Sequence, residues 1–126
     1  MCSGTVSRID VILEINGAER IPCQLKRHLS PMTVGLITRM LPLEGNMHQM
    51  GRSIMYFGTK INSGIERKRT DFKKGHIAFL PTEGSICFYM DDVSDGKAMT
   101  IIGKMIDGVD KLSGMKSSDV LSLSRN

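Results

Sequence analysis

The sequence predicts a mainly β domain, an antiparallel barrel, on three observations. Apolar residues recur in many short runs of strand length, the stretches between those runs are brief and rich in turn residues, and only two short segments carry helical signals. An alternating α/β sheet needs a helical crossover of a dozen or so residues between successive parallel strands, and only two of these connections carry a helix. Closure into a barrel also removes the exposed edges of an open sheet. The stretch from Gly75 to Met90 anchors this expectation: Ile77 to Leu80 and Ser85 to Met90 are apolar runs around Pro81-Thr82-Glu83-Gly84, a hairpin.

From Ser7 to Asn16 the residues alternate, with Ile9, Val11, Leu13 and Ile15 on one side and Arg8, Asp10, Glu14 and Asn16 on the other. That is the pattern of a half-buried strand. A second alternation sets Ile21, Cys23 and Leu25 opposite Arg20, Gln24 and Lys26. A two-residue Asn16-Gly17 turn would place Leu13 opposite Arg20 and mismatch the apolar faces. A loop of Asn16, Gly17 and Ala18 pairs Leu13 with Ile21 and Val11 with Cys23 instead. Pro22 has no amide to donate, so its outer flank is expected at an edge, a bulge or a barrel corner.

Ser30-Pro31 reads as a helix start, with the Ser30 hydroxyl as the cap and proline in the first helical position. Val34, Ile37, Met40 and Leu41 share one face of the helix, and Pro42 stops it. Pro42 to Gln49 reads as irregular. Ile54 to Phe57 is apolar on both faces, as in a central strand. Met99 to Ile102 is expected as a strand ended by Gly103-Lys104, Asp107 as the cap of a short helix carrying Val109 and Leu112, and Val120 to Leu123 as a closing strand.

At 126 residues the chain is expected to form a single domain spanning 1–126, and no apolar run is long enough to span a bilayer as a helix. The first residues lack the pattern of a secretory signal, with Met1 and Cys2 expected at a frayed end. Cys2, Cys23 and Cys87 are odd in number and far apart, which points to free thiols and a cytoplasmic setting. The net charge of +4 draws on Arg67, Lys68, Arg69, Lys73 and Lys74, with Glu66 and Asp71 interspersed. Such a run can meet phosphate, but it reads first as a solvated loop, and with no nucleic-acid motif beside it nucleic acid is not an expected partner.

The candidate chemistry is sparse. Asp91, Asp92 and Asp95 before Gly96 have Val93 and Ile102 where a calcium loop needs oxygen ligands, so they read as a connector. His28, His48 and His76 lack the partner spacing of a zinc site, and His76, at the start of the hairpin, stands nearest a cleft mouth. Cys87, between Ile86 and Phe88, reads as buried, and Met32, Met40, Met55 and Met105 as core. No metal and no cofactor are expected.

The order of elements, and above all Thr100-Ile101-Ile102-Gly103-Lys104-Met105-Ile106-Asp107-Gly108-Val109-Asp110, resembles the cyclophilin fold, in which this segment reads T-V-F-G-K-V-x-x-G-M-D. The small prokaryotic cyclophilin-like proteins are matched more closely, at Ile54 to Phe57 and at Gly75, Ile77, Phe79, Pro81, Gly84, Cys87 and Phe88. The resemblance implies a closed β-barrel of about eight strands with a helix at each end. It also implies an apolar proline cleft, here edged by Tyr56, Phe57, Phe79, Phe88 and Met99. Met99 stands where the cyclophilin histidine would be, the chain has no tryptophan, and neither F-H-R-V nor Q-G-G-D occurs.

Three functions are therefore expected in order. The first is a module binding a small molecule or peptide segment in that cleft, without the usual prolyl isomerase residues. The second is a weak peptidyl-prolyl isomerase with Arg52 as the donor to the twisted imide. The third is a regulatory subunit of an amide-hydrolysing enzyme, so a homodimer or a partner protein is a further expectation.

Overall fold

The computed structural model describes residues 8–116 and 119–126, so Met1 and Cys2 lie outside the described residues. In chain order the strands are β1 (Arg8–Ile15), β2 (Glu19–Lys26), β3 (Leu43–Asn46), β4 (His48–Met50), β5 (Ile54–Gly58), β6 (Lys68–Arg69), β7 (His76–Leu80), β8 (Ser85–Tyr89), β9 (Met99–Met105) and β10 (Val120–Arg125). Helix α1 (Pro31–Met40) follows β2, and a 3-10 helix (Val109–Leu112) precedes β10. The expected eight strands are thus ten among the described residues, and the expected second helix is a 3-10 turn.

All pairings are antiparallel, in the order β3-β10-β1-β2-β9-β7-β8-β5-β4, with β6 added to β9. The two ends of this sheet, β3 and β4, are separated in the chain by Met47 alone, so one kinked segment brings the sheet round into a nearly closed barrel. Pro42 to Gln49 shows no apolar period, yet it is extended because β10 and β5 supply its hydrogen-bond ladder. The same holds for Lys68 and Arg69 in the basic run, which pair with Thr100 and Met99.

The first hairpin has the register that the apolar faces require, with Leu13 opposite Ile21 and Val11 opposite Cys23, and Asn16 and Gly17 at φ 54° and 70° make the turn. Pro22 is exposed beyond the last β2–β9 pair, Cys23 with Met105, and its carbonyl accepts the Ile106 amide at 2.8 Å.

Alternation then divides the molecule into two apolar layers. Inward-facing residues such as Leu13, Ile21, Leu25, Phe57, Ile77, Phe79, Phe88 and Leu121 fill the barrel together with Val34 and Ile37 of α1. Ile54, Ala78, Leu80, Cys87, Tyr89, Met99 and Ile101 face outward and would meet water but for Phe72, which packs over them with Val93. Phe72 forms an isolated bridge with Val93, and its ring stacks on Tyr89 at 4.5 Å. This double cover explains why the central strands are apolar on both faces.

Helix α1 differs in detail from its sequence signals. Its buried side is Thr33, Val34, Ile37 and Thr38, while Met40 and Met32 are 51% and 71% exposed, so neither joins Met55 and Met105 in the core. The Ser30 hydroxyl donates to the Ile101 carbonyl at 2.7 Å and caps nothing. The cap comes from across the fold: Glu66 accepts the Met32 and Thr33 amides at 3.2 and 2.7 Å. Burial works to raise the Glu66 pKa, but these amides outweigh it and hold the carboxyl below its ordinary 4.5.

Strand β9 continues past Gly103 because that glycine admits β2. A Cβ there would stand 2.1 Å from the Gln24 carbonyl oxygen and 2.9 Å from Leu25 Cα. Gly103→Ala is expected to destabilise the fold by about 1–3 kcal/mol or more, as backbone must move to accept it. At Gly35 a Cβ would meet nothing within 4 Å, so Gly35→Ala is expected to stabilise α1 by about 0.5–1 kcal/mol. Urea midpoints at constant m-value measure both.

Glu66→Ala is expected to cost about 0.5–1 kcal/mol at pH 7, the lower part of the capping range because the carboxylate is near solvent. A lowered folded pKa gives stability that is complete above 4.5 and is lost as pH falls through the folded value. The melting-temperature gap between wild type and variant should therefore close in acid below 4.5.

Candidate functional site

Phe57, Phe79 and Phe88 are fully buried inside the barrel, the rings of Phe57 and Phe88 stacked at 6.2 Å. Met99 is fully buried in the outer layer, where its sulfur accepts the Tyr89 hydroxyl at 3.5 Å. Tyr56 is half-buried on the outer face beside His48, with 5.4 Å between ring centroids. Neighbours along a strand point to opposite faces, so Tyr56 and Phe57 cannot edge one cleft. The five residues therefore do not form a common cleft, and Arg52 lies exposed in the β4–β5 turn.

A cleft with convergent polar groups lies instead on the outer face at the junction of β2, β9 and β7. It is an open cleft with a volume of about 310 Å³, lined by Lys26, His28, Leu29, Arg69, His76, Ile101, Gly103 and Lys104. Strand pairing builds its wall: Gln24 lies opposite Lys104, and Lys104 opposite His76, which sets a cation beside an imidazole across the sheet. Lys26 ends β2 one step beyond Leu25, the partner of Gly103. The Lys26–Leu29 turn, closed by the Leu29 amide on the Lys26 carbonyl at 3.0 Å, brings in His28 and Leu29. Arg69 enters from β6, its guanidinium 5.5 Å from the centre of the Phe72 ring. Leu29 and Ile101 belong to the outer apolar layer, so the cavity combines an apolar floor with a basic rim.

The described residues contain five salt bridges, and none involves Lys26, Arg69 or Lys104. Three cations thus converge without a salt-bridge partner among the described residues. His76 responds to them: burial first, and then Arg69, Lys104 and Lys73, hold its pKa below the ordinary 6.5 against the opposing pull of Asp92. Its Nδ1 accepts the Lys73 amide at 3.0 Å. That contact selects the neutral tautomer with its proton on Nε2, a hydrogen-bond donor rather than a free base.

The remaining candidates resolve structurally. Burial pushes the Cys23 and Cys87 thiols up to about 12, so neither supplies a thiolate near neutral pH. Asp92 accepts the Lys74 amide at 2.8 Å and Asp91 the Asp92 amide at 2.9 Å, ties within a connector. Among the described residues no three His, Cys, Asp or Glu side chains gather as metal ligands. No helix is long and apolar enough to cross a membrane.

Of the eight cavity residues, the sequence singles out His76 for its place at the head of the hairpin and Arg69 within a basic run. Ile101, Gly103 and Lys104 stand in the Thr100 to Asp110 segment that carries the cyclophilin resemblance, whereas Lys26 shows only its outward parity on the strand and His28 has no partner at a site-forming spacing. Residues 24–123 match a family model described as the cyclophilin-like family. The chain belongs to the cyclophilin-like family. No curated protein matches it in sequence. In structure it is similar to the hypothetical protein AF2241 from Archaeoglobus fulgidus, at 18% identity and a TM-score of 0.76 over 95% of this chain and 96% of that one. It is also similar to McbB, solved in complex with tryptophan, at 14% identity and a TM-score of 0.77 over 92% of this chain but only 44% of McbB. These likenesses establish the cyclophilin-like fold. At Met99, the position that the resemblance assigns to the cyclophilin histidine, this family member is sealed under its own loops.

In an NMR titration the His76 ring protons are expected to report a midpoint below 6.5, and Arg69→Gln to raise it by removing a nearby positive charge. An unchanged midpoint in the variant would show that Arg69 does not act on this imidazole.

Proposed function

We propose that this cyclophilin-like protein is a binding module for a small organic anion, held in the cleft between Lys26, Arg69 and Lys104. The observation that carries the proposal is the convergence of three cations lacking salt-bridge partners, with two imidazoles, over an apolar floor of Leu29 and Ile101. The volume of about 310 Å³ lies at the lower end of small-ligand sites, which suits a compact molecule. A carboxylate would take hydrogen bonds from the Arg69 fork and a lysine ammonium, and His76 Nε2–H adds a neutral donor. The apolar part of the ligand would rest on Ile101 and Leu29.

McbB, 44% of which matches this fold, is known with tryptophan, a zwitterion that joins a carboxylate and an ammonium to an apolar ring. This supports a search among such compounds. Isomerase chemistry has less support, because Met99 is buried and Arg52 does not line the cleft.

Titration calorimetry with benzoate and tryptophan tests the proposal. Binding is expected to weaken about three- to tenfold in Arg69→Gln and in Lys104→Gln, the scale of a partly solvated charge contact, and further with added salt. If neither compound binds at millimolar concentration, or if both variants bind as wild type does, the cleft is not an anion site.

A further inference from the structure

We propose a second, separate site that takes a doubly charged phosphate group carrying a small apolar substituent. It is the crevice of about 520 Å³ between helix α1 and the mouth of the barrel, where Arg27, Arg39 and Arg125 meet Pro31, Met32 and Leu36. The three arginines come from three elements. Arg125 ends β10 opposite Val11, in the inward row that continues Leu121 and Leu123, so it emerges at the barrel mouth. Arg27 follows Cys23 and Leu25 of β2 with the same parity, and Arg39 lies in the last turn of α1.

Among the described residues no salt bridge reaches any of the three, and Asp10 on neighbouring β1 is already engaged by Arg8 at 3.6 Å. Three exposed guanidinium groups around one crevice repel one another, and an anion within it relieves that repulsion. Each guanidinium presents paired donors in a plane, so three of them offer more donors than the two oxygens of a single carboxylate can accept. A phosphate monoester presents three terminal oxygens and close to two negative charges near neutral pH. Met32, 71% exposed, together with Pro31 and Leu36, gives an apolar wall for the substituent. The volume is that of a small-molecule site rather than of an extended macromolecular surface.

This site shares no lining residue with the cleft, so the two can be tested apart. Phenyl phosphate is titrated into 15N-labelled protein, with inorganic phosphate and benzoate as comparisons. Phenyl phosphate is expected to move the amides of Gly35 and Thr38, and to bind there at least about tenfold more tightly than benzoate. The double variant R39Q/R125Q, folded as judged by its melting curve, is expected to lose at least tenfold of that affinity, and R39K/R125K to recover only part of it. R69Q/K104Q is expected to leave the Gly35 and Thr38 response unchanged. The proposal is overturned if phenyl phosphate moves only Gly103 and Ile101, if benzoate matches it at Gly35, or if R39Q/R125Q responds as wild type does. None of these outcomes decides whether benzoate occupies the cleft.

Discussion

The contact on which the rest depends is the approach of β9 to β2 at Gly103. Only three residue pairs join these strands, Cys23 with Met105, Gln24 with Lys104 and Leu25 with Gly103. They connect the sheet portion built from β1, β2, β3 and β10 to the portion built from β5, β7, β8 and β9. Gly103 stands so close to the Gln24 carbonyl that any side chain would separate the two. The junction that draws the barrel together is also where Lys26, Lys104 and His76 come side by side on the outer face. Closure and the candidate site are thus consequences of one backbone approach, and Gly103 lies in the Thr100 to Asp110 segment that most specifically resembles the cyclophilins.

Charge is distributed unevenly over this frame. Lys73, Lys74, Lys97 and Lys111 all reach acidic partners, as does Arg8. Lys26, Arg69 and Lys104 do not, although pairing them would lower their mutual repulsion. The lowered pKa of His76 spares the cleft a fourth positive charge, and its Nδ1 is occupied by the Lys73 amide. A catalytic base would need that lone pair free and a pKa nearer neutrality. The arrangement suits holding an anion more than moving a proton.

Much of the barrel was legible because period-two alternation and turn chemistry act locally. The register of the first hairpin follows from matching Leu13 to Ile21, and the Gly75 to Met90 hairpin from its two apolar runs. What was not legible depends on partners distant in sequence. Glu66 caps α1 from 33 residues beyond Thr33, in place of the adjacent Ser30 hydroxyl. Leu43 to Met50 is extended only because β10 and β5 lie on either side of it. The aromatic cleft was misplaced for a different reason: strands buried on both faces look the same whichever way a side chain points, so Phe57, Phe79 and Phe88 read as cleft although they fill the barrel. The cleft itself draws its cations from β2, β6 and β9, and no local pattern links those three positions.

The loop that carries Arg69 joins these observations. Phe72 seals the outer layer by stacking on Tyr89 and bridging to Val93, and this closes off Met99, the position that the cyclophilin resemblance marks for a histidine. The same segment pairs Lys68 and Arg69 with β9, and the Phe72 ring holds the Arg69 guanidinium at 5.5 Å. Sealing one part of the outer face therefore delivers a cation to the next part, at the edge where Ile101 and Leu29 line the cleft. Loss of Phe72 would then act on the site in two ways, by uncovering apolar surface and by releasing the arginine. Loss of Arg69 alone would leave the seal intact. The separation of those two effects is what distinguishes a loop that only covers the barrel from one that also forms a binding site.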